Sequence, residues 1–199
     1  TLDASEVAGG DSGGAWGRWL RDWFLFGLGT GLRPGEQRGL LWADVRLDEG
    51  GPGPTVRVRG TKTAGSSRPV PVAGAALDVL RKRAAERTAE AVDAHVFTGA
   101  GGGPVALDFL SKRLQKLAEA AGVGKNVTGY SLRHSYGTRM AAAGVPLLDL
   151  ARMMGTSAAM IERHYAHYDP SRGAAHVRRV FDAVALDTAT LAAAPPALP

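Results

Sequence analysis

No cysteine occurs among the 199 residues, which excludes disulfides, thiolate metal sites and a cysteine nucleophile together. The absence fits a reducing compartment. No apolar run approaches the roughly 18–20 residues that cross a bilayer, and the first residues lack the basic-then-apolar order of a signal peptide. A cytoplasmic protein with no membrane partner is expected. Acidic residues are the scarcer charge: 19 Asp and Glu stand against 24 Lys and Arg, leaving +5 at pH 7. That balance favours a polyanionic partner such as DNA, although a generic basic surface would give the same sum.

Hydrophobic residues make up 45% of the chain, enough for one sizeable core and too short a chain for several independent ones. Residues 1–199 are therefore read as one catalytic-size domain, folded over about 12–183. Its Gly-rich beginning (1–14) and Ala/Pro-rich end (184–199) read as frayed or linker-like. Because the chain begins with threonine, an N-terminal DNA-binding domain is expected outside these residues.

Helical spacing predicts a first helix from an N-cap at Ser12 to Leu28, with Trp16, Leu20, Trp23, Phe24 and Leu28 on its core face. Gly29-Thr30-Gly31 should break it, and Pro34 opens a short second helix. The period then falls to two at 44–47, 55–59 and 68–72, between Gly/Pro/Ser turns, which predicts three short antiparallel strands. Pro69 and Pro71 make the third an edge strand, because proline cannot donate to a ladder. Further helices are predicted at 74–90, 107–121, 131–143, 146–154, 157–167 and 170–183, with a loop over Gly99–Gly103. The fold class is mainly α with a small three-stranded antiparallel sheet.

Four side chains, Arg33, Lys62, Arg133 and Tyr165, stand where a helix begins or ends or a hairpin turns. Arg33 follows the Gly-rich break at a helix N-terminus, where free amides and the helix dipole favour an anion and a guanidinium can clamp phosphate; the plainer alternative pairs it with Glu36 alone. Lys62 sits at a hairpin turn, either reaching a substrate or simply solvated. Tyr130 and Arg133 share a helix face and can address one ligand while Leu132 faces the core and His134 points elsewhere. Tyr165 ends an amphipathic helix. The neighbouring His164 and His167 invite a metal, but no acidic or cysteine ligand accompanies them, so neither metal nor cofactor is expected.

In this order and spacing the motifs resemble the tyrosine recombinase family, the phage integrases. Thr30-Gly31-Leu32-Arg33-Pro34-Gly35-Glu36, followed by Leu40-Leu41-Trp42-Ala43-Asp44, looks like its first arginine box. Lys62 matches its hairpin lysine, Leu132-Arg133-His134 its second arginine box, and Met153-Met154-Gly155 with Tyr165 its closing segment. The resemblance runs from about Trp16 to Phe181. It implies the catalytic-domain fold of DNA breaking-rejoining enzymes and a site of Arg33, Lys62, Tyr130, Arg133, Thr156 and Tyr165, without a metal. It further implies double-stranded DNA as partner, a homotetramer on recombining sites with a monomer elsewhere, and a bacterial nucleoid setting.

Two positions depart from the pattern: Tyr130 replaces a histidine, a familiar variant, and Thr156 replaces the histidine or tryptophan that follows the glycine. Threonine is too short to fill that place, so an under-packed phosphate pocket is expected. Tyr168 is the rival nucleophile, set aside because the distance from Gly155 favours Tyr165. A weakened DNA-binding module of the same fold and a type IB topoisomerase-like enzyme are the alternatives.

Overall fold

In the computed structural model the described residues are 15–51, 53–60, 67–87, 91–99, 103–123 and 126–165, with the backbone alone at Ala15 and Tyr165. They fall in the first of two units into which the chain divides, Thr1–Tyr165 and Ala166–Pro199. The expected N-cap at Ser12 and the helix at 170–183 lie outside the described residues, as do Lys62, His167 and Tyr168.

Helix α1 (Ala15–Thr30) runs through Gly29 and ends only at Gly31. One glycine costs a helix interior about 1 kcal/mol, less than the surrounding packing supplies. The true breaker is Gly31, whose φ of +63° suits glycine alone and whose Cβ, if present, would lie 2.3 Å from the ring of Tyr136. The inner stripe differs in part from expectation: Trp23 is buried as predicted, but Phe26 is buried as well and Trp16 is exposed. Apolar residues occupy most of the circumference of α1, so periodicity alone could not choose the buried side. Trp23 and Phe26 both pack on Phe97, with ring centroids 5.2 Å away, and each such burial contributes about 1.5–3 kcal/mol.

Helix α2 (Pro34–Arg38) and a single 3-10 turn (Trp42–Asp44) lead into the sheet. Its strands β1 (Val45–Arg46), β2 (Thr55–Val58) and β3 (Arg68–Pro71) are antiparallel in the order β1-β2-β3, so β3 is an edge as expected. Val70 pairs with Val56, and the Val72 N–H donates to the Pro54 carbonyl. The alternate positions of Pro69 and Pro71 therefore lack a donor only on the side away from β2. Asp44, predicted to open the first strand, lies instead in the 3-10 turn, where its buried carboxylate pairs with Arg57 and Arg59.

Helix α3 (Gly74–Ala85) packs on α1 and adds Val79 and Leu80 to the core that also holds Val56, Val58 and Val70 of the sheet. It stops short of 90, and α4 (Leu107–Ala120) follows. Helix α5 (Gly129–Ala142) starts two residues before the predicted position because Thr128 caps it: the Thr128 N–H donates to Ser131 Oγ at 3.1 Å, reciprocating the Thr128 cap. Its first residue, Gly129, brings the backbone against Pro34, where a Cβ would sit 2.6 Å from the ring. This contact sets the start of α5 beside the start of α2. Helices α6 (Leu147–Met154) and α7 (Ala158–Tyr165) close a second, smaller core of Tyr136, Leu150, Ala151, Met154 and Ile161. Among the described residues no helix is long and apolar enough to cross a membrane.

Candidate functional site

Arg133 sits one turn into α5 and is only 8% exposed. Burying a guanidinium requires partners. It donates from Nη1 to the Gly31 carbonyl at 2.9 Å and from Nη2 to the Met154 carbonyl at 2.7 Å. Both acceptors stand at helix C-termini, those of α1 and α6, where unpaired carbonyls and the dipole favour a cation. Leu132, next to it, faces the core as expected.

Arg33 is the N-cap of α2. Its Nη1 meets Glu36 Oε1 at 2.8 Å and its Nη2 donates to the Gly155 carbonyl at 2.6 Å. The Glu36 pairing is thus present but does not stand alone. One donor at this N-terminus, the Arg33 N–H, is already taken by the Glu36 carboxylate at 2.9 Å.

Arg33 and Arg133 nevertheless converge on one pocket of about 200 Å³, lined also by Met154, Thr156, Met160 and His164. A wider recess of about 500 Å³ adjoins it, shares Arg133 and His164, and is lined by Thr128, Tyr130, Ser131, His134 and Ser135. Tyr130 and Arg133 do line one recess, but Tyr130 is 61% exposed, at its rim. His134 does not point elsewhere; it lines that recess too. Thr156 stands in the smaller pocket beside two methionines rather than under a large ring of its own. Tyr165 is the last residue of α7, its side chain outside the described part, and the preceding His164 lines both pockets. Among the described residues no three His, Cys, Asp or Glu gather as a metal site.

The residue that sequence reasoning missed is Arg68, on β3. Its Nη1 and Nη2 grip both oxygens of Glu36, at 3.1 and 2.9 Å, and its Nε donates to the Met153 carbonyl at 2.8 Å. A signal did exist: Arg68 shares strand parity with buried Val70 and Val72, so its guanidinium had to turn inward and find a counter-charge. Three arginines from three elements therefore bond the last carbonyls of α6.

Burial works against the charge on Glu36, but hydrogen bonds from Arg68 and from the Arg33 backbone and side chain outweigh it and hold the carboxyl below its ordinary pKa. The unfolded chain therefore takes up this proton first as pH falls. The stabilisation is complete above the ordinary glutamate value, about 4.3, and disappears as pH drops through the lower folded value. Glu36→Gln is expected to lower Tm at pH 7 and to shrink this difference towards acid; a gap between wild type and variant that is constant from pH 7 to 3 would contradict the assignment.

A helical domain whose small antiparallel sheet stands beside two convergent arginines is the architecture of tyrosine recombinase catalytic domains. The Tn1549 transposon integrase in complex with circular intermediate DNA shares it with a TM-score of 0.70 at 20% identity, over 88% of this chain and 64% of that one. The XerA recombinase does so with a TM-score of 0.63 at 20% identity, over 90% of this chain and 61% of that one.

The family model described as the phage integrase family matches residues 8–172, and the chain belongs to that family. It is 32% identical to the tyrosine recombinase XerC of Xanthomonas axonopodis pv. citri, over 77% of this chain and 47% of that protein. The XerC of Xylella fastidiosa (strain 9a5c) is also 32% identical, over 82% of this chain and 53% of its own length. The chain spans about half the length of these curated relatives.

Proposed function

We propose that this chain is the catalytic domain of a site-specific DNA recombinase that cuts and rejoins strands through a 3′-phosphotyrosyl intermediate. The observation that carries this reading is the convergence of Arg33 and Arg133 on a pocket that His164 also lines, one residue before Tyr165. The Tyr165 oxygen attacks the scissile phosphorus, the tyrosyl proton is lost, and the P–O bond to the 5′ oxygen breaks. The transition state gathers negative charge on the non-bridging oxygens, where two fixed guanidiniums stabilise it most. Lys62 protonates the departing 5′ oxygen, and a 5′-hydroxyl from a partner strand reverses the sequence. Exchange between two duplexes takes four cleavages, so a tetramer of full-length chains assembles on double-stranded DNA from monomers. The setting is the bacterial cytoplasm, at the nucleoid. Phosphate contacts carry no sequence information, so target choice rests on groove contacts elsewhere.

The decisive experiment traps the full-length protein on nicked duplexes that lose the short 5′-hydroxyl fragment after cleavage, then sequences the attached DNA. A covalent adduct at a defined sequence supports the reading. Binding without any adduct would leave a DNA-binding module, and relaxation of supercoils without strand exchange would make the enzyme topoisomerase-like.

The role of Lys62 has its own test. Lys62→Ala should slow cleavage of ordinary DNA yet be largely rescued by a 5′-bridging sulfur, whose thiolate leaves without a proton. Equal slowing on both substrates would assign Lys62 to binding.

Thr156 shares its pocket with Met154 and Met160, which supply apolar bulk, and with His164. Thr156→His is expected to raise the single-turnover cleavage rate by bracing the bound phosphate. If His and Trp replacements both slow cleavage, and Thr156→Val does so equally, the hydroxyl is itself a phosphate ligand.

A further inference from the structure

The geometry points to Arg68 as the positioning residue that keeps Arg33 oriented toward the pocket and offsets the Glu36 charge beside it, an inference that rests on the catalytic reading above. Arg68 is absent from the lining of the Arg33–Arg133 pocket and its side chain is only 12% exposed. It therefore acts through other groups. Its guanidinium holds Glu36 by two bonds and the end of α6 by two more, to the carbonyls of Met153 at 2.8 Å and Met154 at 3.3 Å.

Arg68 bonds one of the two groups that fix Arg33 and the carbonyls just before the other. Glu36 receives Arg33 Nη1 and the Arg33 N–H, while the carbonyl of Gly155, which receives Arg33 Nη2, follows immediately on the two carbonyls that Arg68 grips. Gly155 itself is shaped for this arrangement. Its φ is +61°, and a Cβ there would lie 2.6 Å from the Arg68 guanidinium carbon. The arginine thus packs flat against a backbone that can carry no side chain.

The electrostatic consequence is as important as the mechanical one. An Arg33–Glu36 pair alone has no net charge, and a partly exposed pair three residues apart is held weakly. The carboxylate would then offset the field of the Arg33 guanidinium at a transition-state anion, and a loosely held fork clamps poorly. Adding Arg68 leaves the triad with one net positive charge and shares the carboxylate between two forks. Arg33 then points at the pocket from both ends of a closed hydrogen-bonded circuit.

The test is a double-mutant cycle on single-turnover cleavage of the trapping substrate by the full chain. Arg68→Met, which keeps length and loses charge and donors, should lower the cleavage rate on the order of tenfold to a hundredfold while DNA affinity changes by less than about threefold. Combined with Arg33→Ala it should add almost nothing, because the residue it positions is gone. The 5′-bridging sulfur should not rescue it, since leaving-group protonation is not what is lost. Arg68→Lys keeps the charge and guards against a folding defect; it should be slowed less, with the same non-additivity.

Wild-type rates in both variants, full additivity with Arg33→Ala, or rescue by sulfur would each overturn the assignment. Hydrogen exchange separates this from failure of the catalytic reading. If the wild type forms no adduct, that reading falls, and Arg68→Lys must still speed exchange over Arg33–Arg38 and Met153–Ser157. Unchanged exchange there would sink the positioning role on its own.

Discussion

Tyr165→Phe is expected to abolish the covalent DNA adduct, lowering cleavage by more than about 10⁴-fold, while DNA affinity stays nearly intact. Only the attacking oxygen is deleted, and a phenyl ring cannot form the ester bond, so with Tyr165 as nucleophile a rise of more than about 5 kcal/mol in the barrier follows. The phenylalanine ring preserves the shape of the residue that ends α7. A phenol with a pKa near 10 is almost wholly protonated at neutral pH, so the proposed mechanism asks the charge of Arg33 and Arg133 to assist the attack and the phosphate to take the proton. Tyr168→Phe should be mild. The measurement is denaturing electrophoresis of the trapped complex for both variants. An adduct that survives in Tyr165→Phe and disappears in Tyr168→Phe would transfer the nucleophile's role to Tyr168.

Much of this arrangement was legible before any coordinates. The order of the arginine boxes, the prolines that made β3 an edge, and the change of period from helix to strand all depend on neighbours within a few residues, and those expectations agree with the fold. What stayed hidden depends on partners far along the chain. Arg68 finds its acceptor 85 residues away at Met153, and Arg133 bonds Gly31 across 102 positions. Local sequence cannot name a carbonyl as a partner, since every residue has one. The buried stripe of α1 was hidden for another reason: a helix apolar nearly all round takes its orientation from what packs against it, here Phe97 and α3. His134 was misdirected because helix geometry fixes its angle from Arg133 but not the width of the recess, which reaches both.

Arg33→Ala and Arg133→Ala should both cut cleavage by on the order of a hundredfold to a thousandfold, the effect of removing one preorganised transition-state donor, yet they should part on stability. Arg33 has a side chain 39% exposed, and its loss leaves Glu36 still held by Arg68. A modest fall in Tm is expected. Arg133 is buried between the ends of α1 and α6, and its removal takes the side-chain donor from the Gly31 carbonyl and leaves the Met154 carbonyl only the longer bond from Arg68 at 3.3 Å. An unsatisfied buried polar group costs about 1–3 kcal/mol, so Arg133→Ala should be clearly the less stable protein. Lysine should rescue neither rate well, and at position 133 it should rescue stability poorly too, because one ammonium cannot reproduce the rigid fork that spans two helix ends. Thermal melts and single-turnover rates on the same preparations decide the matter. If Arg133→Ala melts no lower than Arg33→Ala, the guanidinium does not tie the helix ends together, and if either alanine variant cleaves at the wild-type rate, that arginine stands outside the active site.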